Sequence, residues 1–134
     1  MEKDNVCKTP RWRLLKAVLN NLSAQGFKEK IALGDIILVD VRKLAEFQEV
    51  RLPNAIHIDY FETAFWDKIT QLDKTKDILV YCRSGRRSIR VCTLMKNGGF
   101  DAARIFNLDG GIVEWVEAFP SEVETGRLKD ISRG

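Results

Sequence analysis

The chain has 134 residues, enough for one domain with its own hydrophobic core and little room for a second. Hydrophobic residues at 45% and charged residues at 31% describe a soluble globular protein rather than a disordered one. The net charge of +3 comes from scattered Lys and Arg, which argues against a nucleic-acid-binding surface. Cations concentrate at one place only, Arg83, Arg86, Arg87 and Arg90.

Met1 to Asn5 lacks the charged and apolar regions of a signal peptide, and no run approaches the eighteen or so apolar residues of a membrane span. Three cysteines without framework spacing fit a reducing compartment, so a cytoplasmic protein is the expectation.

In chain order, Pro10 to Leu19 places Trp12, Leu15, Val18 and Leu19 at helical intervals, and residues 1–17 are expected to form a helical extension. Ser23 is a helix cap, and Gly34-Asp35 ends that helix. Ile36 to Val41 is a β-branched run suited to a strand buried on both faces. Leu44 to Phe47 reads as a helical turn, Arg51 to Asn54 as a loop and Ala55 to Ile58 as a short strand.

Phe61 to Leu72 has a helical pattern, and Ile78 to Tyr81 is the clearest strand, ending at Cys82. A helix from the Arg83–Arg87 loop to Asn97 is closed by Gly98-Gly99, and Arg104 to Asn107 is a further strand. Gly110-Gly111 turns into a last helix with Ile112, Trp115, Val116 and Phe119 on one face. Pro120 stops it, and the polar tail 121–134 is expected to be loosely held. Alternating strands and helices imply an α/β class, a small central mainly parallel sheet flanked by helices. Ligands of such sheets sit beyond the carboxyl ends of the strands, where Cys82 lies.

A cysteine between a strand end and a helix start faces unpaired backbone N–H groups, and these with the helix dipole stabilise an anion. A thiolate is such an anion, so Cys82 is expected to be nucleophilic. Gly85 lets the loop curl so that amides converge on the sulfur, and Arg83, Arg86 and Arg87 add positive charge. Two chemistries suit this arrangement: attack on sulfur, giving a persulfide, and attack on phosphorus or arsenic. Phosphate-sized loops of cysteine phosphatases place Arg six positions after Cys. Here Ser88 stands there and Arg87 falls one short, which favours the smaller sulfur atom.

Leu38-Val39-Asp40-Val41-Arg42, Glu46-Phe47, Cys82-x-x-Gly85-x-Arg87-Ser88, Gly98-Gly99-Phe100 and Leu108-Asp109-Gly110-Gly111 with Trp115 together resemble the rhodanese family, in the right order. The resemblance implies a rhodanese-like domain over 18–120 and the activity of a single-domain thiosulfate sulfurtransferase. Cys82 takes sulfane sulfur from a donor such as thiosulfate and passes it to an acceptor: a thiol, cyanide or a protein thiol. It implies that the amides of Arg83, Ser84, Gly85, Arg86, Arg87 and Ser88 hold the persulfide. Arg83 and Arg86 steer an anionic donor, Arg87 braces the loop, and Asp40 and Arg42 support the site. Alternatives are a regulatory or binding module without turnover, and a phosphatase or arsenate reductase. Arg51 stands where the family often has histidine, and Asn54 where it has glycine.

His57, the only histidine, is read as structural rather than as a base for Cys82, and Cys92 as a core residue. Cys7 is expected to be an ordinary surface thiol. No Cys/His spacing suggests a metal site, Gly110-Gly111 lacks the pattern of a phosphate loop, and no cofactor, nucleic-acid or membrane partner is expected. Trp12, Trp66 and Trp115 are assigned to packing.

Overall fold

The computed structural model describes residues 10–126. Its elements run α1 (Arg11–Lys16), β1 (Asn20–Leu22), α2 (Ala24–Leu33), β2 (Ile36–Asp40), α3 (Leu44–Glu49), β3 (Val50–Arg51) and β4 (Ile56–His57). They continue as α4 (Phe65–Thr70), β5 (Asp77–Tyr81), α5 (Arg86–Asn97), a 3-10 turn (Ala102–Arg104), β6 (Ile105–Leu108), α6 (Gly111–Ala118) and β7 (Glu124–Thr125). Five strands form one sheet in the order β1-β6-β5-β2-β4, and every pairing in it is parallel. The α/β expectation with a parallel sheet is met.

The pleat divides the core in two. Ile78, Val80 and Cys82 point to a cluster with Phe65 and Ile69 of α4 and Val91, Cys92 and Met95 of α5. Leu79 and Tyr81 point the other way, to Ala24 and Phe27 of α2 and Ile112 and Trp115 of α6. Burial on both faces explains why β2 and β5 read as continuous apolar runs. Register pairs Asp40 with Tyr81, so the loops after β2 and β5 leave the sheet side by side.

The capping expectations hold at α2, where Ser23 Oγ accepts from the Gly26 N–H at 3.1 Å. Asn54 takes φ +67°, the turn glycine would otherwise supply. Elsewhere the structure corrects the sequence reading. α1 stops at Lys16, Val18 is exposed, and the chain enters β1, a strand hidden by its two asparagines. The α4 helix begins only at Phe65, because Asp59 holds a turn through Oδ1 to the Phe61 N–H at 2.8 Å. Val116 is exposed rather than on the buried face of α6.

Part of the polar tail is held: Glu124–Thr125 pairs antiparallel with Val50–Arg51, where a loop was expected. Arg51, only 1% exposed, donates from Nη1 to the Phe47 carbonyl at 3.0 Å and the Gly126 carbonyl at 2.7 Å. It is a clasp for the tail. The Cys7 expectation falls outside the described residues.

A polar column links α5 to α1 through the sheet. The Ser88 hydroxyl reaches Asn107 Oδ1 at 2.6 Å, with the Gly85 carbonyl beside it at 3.1 Å. Asn107 Nδ2 donates to Asn21 Oδ1 at 2.9 Å, and Asn21 Nδ2 donates to the Lys16 carbonyl at 3.0 Å. Asn107→Ala opens a small void and leaves Asn21 Oδ1 without its donor. It is expected to cost about 2 kcal/mol, read as a Tm lower by roughly 5–10 °C in a thermal melt.

Candidate functional site

Cys82 follows the last residue of β5, and three residues separate it from α5. Gly85, the N-cap of α5, has φ +104°, and its N–H points at Cys82 Sγ from 3.1 Å. Among the described residues this is the one backbone amide that reaches Sγ. The contact closes a tight turn from residue 82 to residue 85. Cys82 is 1% exposed, while Arg83, Ser84 and Arg86 around it are exposed.

The loop is held from the opposite side by α6. The Ile112 N–H donates to the Cys82 carbonyl at 2.9 Å and the Val113 N–H to the Arg83 carbonyl at 3.1 Å. The free amides at a helix start thus fasten the loop carrying the cysteine. A Cβ on Gly111 would lie 2.3 Å from the Arg83 oxygen and 2.7 Å from the Cys82 oxygen, so that position admits only glycine. The sequence marked Gly110-Gly111 as a turn, and its grip on the loop is a tertiary fact.

Arg87, at the start of α5, meets a partner to which the sequence assigned no role. Its Nη1 and Nη2 donate to Glu46 Oε1 and Oε2 at 2.8 and 3.2 Å, a two-pronged ion pair tying α5 to α3. Those bonds, helped by the Lys43 N–H at 3.0 Å, hold the Glu46 carboxyl down to about 2 against partial burial. The Asp40–Arg42 pair lies fully inside. Arg42 Nη2 meets Asp40 Oδ2 at 2.7 Å and the Val50 carbonyl at 2.5 Å. Together they shape the turn after β2, next to the Cys82 turn.

His57 Nε2 donates to the Arg42 carbonyl at 2.6 Å, and its ring stacks on Phe47, with centroids 4.7 Å apart. It is a support for the Arg42 turn, in keeping with its structural reading. Cys92 is buried under α5, and burial, then the neighbouring Cys82, pushes its thiol well above the ordinary range. A thiol so placed packs and does not react.

Two cavities flank the loop. One, of about 390 Å³, has Arg83 and Glu46 with exposed Val113 and Val116 in its walls. The other, of about 490 Å³, takes Arg86 and Arg87 from the start of α5. The Glu46–Arg87 pair contributes its acid to the first and its base to the second. Trp12, assigned to packing from the sequence, lines the larger cavity beneath the Arg86 guanidinium at 4.7 Å.

A family model described as the rhodanese-like domain matches residues 23–118. A sulfurtransferase of Allochromatium vinosum is 29% identical over 99 residues, 73% of this chain and 89% of that protein. The thiosulfate sulfurtransferase GlpE of Pseudomonas savastanoi pv. phaseolicola is 31% identical over 103 residues, 77% of this chain and 90% of that one. Among solved structures, a rhodanese-related protein from Thermoplasma volcanium superposes with a TM-score of 0.65 at 25% identity. That match covers 75% of this chain and 93% of the other. A rhodanese-like domain protein from Staphylococcus aureus gives 0.68 at 23% identity, covering 81% of this chain and all of that one, and bears on the fold alone.

Two measurements check this geometry. Glu46→Gln is expected to lower stability at pH 7 by about 1 kcal/mol, a value reduced for solvent screening at this half-exposed pair. A carboxyl lowered on folding stabilises above its unfolded value and loses that effect as pH falls toward its folded one. The gap to the native chain in urea melts should therefore shrink as pH drops from 4.5 toward about 2. Gly111→Ala is expected to lower the Tm by more than 5 °C or so, because backbone must shift to admit the methyl group.

Proposed function

The chain belongs to the rhodanese-like family, and on that premise we propose that it is a sulfurtransferase working through a persulfide on Cys82. The donor is an anion such as thiosulfate, and the acceptor is thiophilic: cyanide, a small thiol or a protein thiol. The observation that carries this reading is the Gly85 N–H aimed at Cys82 Sγ at the carboxyl end of β5.

The Cys82 thiolate attacks the outer sulfur of thiosulfate. The new S–S bond forms as the old one breaks, and sulfite departs with the electron pair. The outer sulfur of the persulfide then carries the negative charge that the Gly85 amide and the start of α5 favour. Exposed Arg83 and Arg86 raise the local concentration of the anionic donor. Because Cys82 is nearly sealed, donor entry needs the loop to open locally. Arg87 keeps its guanidinium on Glu46, and so fixes the loop instead of clamping an oxyanion. That pairing, with the short spacing from Cys82, speaks against phosphatase chemistry.

One observation favours a second reading, a binding module without turnover: the 1% exposure of Cys82. Intact-mass spectrometry after incubation with thiosulfate separates the two. Gain of one sulfur atom, lost in Cys82→Ser and kept in Cys92→Ala, is the expected result. No adduct with thiosulfate or with other sulfane donors would leave the binding module as the better account.

A further inference from the structure

Helix α1 lies outside residues 23–118 that the family model matches, yet it packs against α5 beside the Cys82 loop. Its placement is built in. The Lys16 carbonyl ends the polar column from Ser88, and Lys16 Nζ pairs with Asp109 at 2.5 Å. The consequence is a wall: Arg11 and Trp12 close one side of the cavity of about 490 Å³ that Arg86, Arg87 and Arg90 line from α5. Tyr60 and Phe61, from the turn after β4, close another, and Phe61 is 61% exposed.

Charge and size are both more than an inorganic donor requires. Glu46 answers Arg87, but among the described residues no carboxylate bridges Arg11, Arg86 or Arg90. Guanidinium groups in such number match more than one anionic group, through forked hydrogen bonds to phosphate or carboxylate. The volume falls in the range of organic ligands. The exposed phenyl ring and the half-buried Tyr60 offer apolar surface to a carbon skeleton. Arg86 and Arg87 directly follow Gly85, whose amide touches Sγ, so a ligand in this cavity lies beside the cysteine loop.

We propose that this cavity binds the sulfur acceptor, an organic thiol carrying at least two anionic groups, and that α1 and Arg90 select it over neutral thiols. The inference rests on the persulfide reading above and names its acceptor class. The acceptor thiol attacks the outer sulfur of the Cys82 persulfide, already charged by a thiosulfate-type donor. A new S–S bond forms on the acceptor and the bond to Cys82 Sγ breaks. The electron pair returns to Cys82 as thiolate, the proton stays on the acceptor's persulfide, and no external oxidant enters.

Binding is tested first without turnover, by calorimetry on full-length Cys82→Ser with coenzyme A, glutathione and 2-mercaptoethanol. Binding of coenzyme A or glutathione, with none of 2-mercaptoethanol, is expected, and the stronger of the two identifies phosphate or carboxylate as the preferred group. Arg11→Ala and Arg90→Ala, each added to Cys82→Ser, should weaken that binding roughly tenfold, whereas Arg104→Ala, which removes the same charge elsewhere, should not. In the Cys82 chain, the same two variants should lower kcat/KM for the anionic thiol roughly tenfold more than for 2-mercaptoethanol. No binding of either anionic thiol, equal losses with neutral and anionic thiols, or an equal effect of Arg104→Ala would overturn the proposal. Intact anionic-thiol binding without a thiosulfate adduct on Cys82 would instead overturn the persulfide reading and leave the cavity as a ligand site.

Discussion

The site depends on how α6 meets the loop after β5. Two amides at the start of that helix bind the carbonyls of Cys82 and Arg83, and Gly111 lets the two backbones approach closely enough for this. With its carbonyls satisfied from one side, the loop turns its Gly85 amide toward the sulfur. A backbone that must satisfy every buried polar group leaves few ways to present a cysteine at a strand end. Here the last helix of the sheet supplies the missing partners.

Around that fixed point the charges are sorted. Asp40 and Arg42 neutralise one another inside the turn after β2, and Glu46 and Arg87 do so between α3 and α5. Among the described residues, Arg83 and Arg86 beside the loop are exposed and have no carboxylate partner. Among Arg83, Arg86, Arg87 and Arg90, Arg87 is thus set apart by its carboxylate partner, although all four follow Cys82 within eight residues. Arg51 extends the same distinction: a cation in a loop by sequence, it is spent on the carbonyls of Phe47 and Gly126.

Helix α1 and the polar column tie the segment before residue 23 to the start of α5. Ser88 stands on the first turn of α5, and its hydroxyl is connected through Asn107 and Asn21 to the end of α1. Each member is held by the next, so the end of α1 is tied to the sheet. Local hydrogen bonding thus joins the edge strand β1 to the centre of the site.

Much of this was legible in the chain alone. Apolar runs marked β2 and β5, Ser23 and the glycine pairs marked helix ends, and the order of Cys82, Gly85 and Arg87 singled out the loop. These are local signals, set by burial periodicity and backbone conformation within a few residues. The asparagine-rich β1, the pairing of β3 with β7, the grip of α6 on the Cys82 carbonyl and the Glu46–Arg87 bond were not legible. Each joins segments far apart in sequence. The amino-acid order by itself determined the class of fold and singled out Cys82 at a strand end. Only tertiary packing decided which amide meets the sulfur and which arginine is paired with a carboxylate, because those outcomes depend on distances no local pattern encodes.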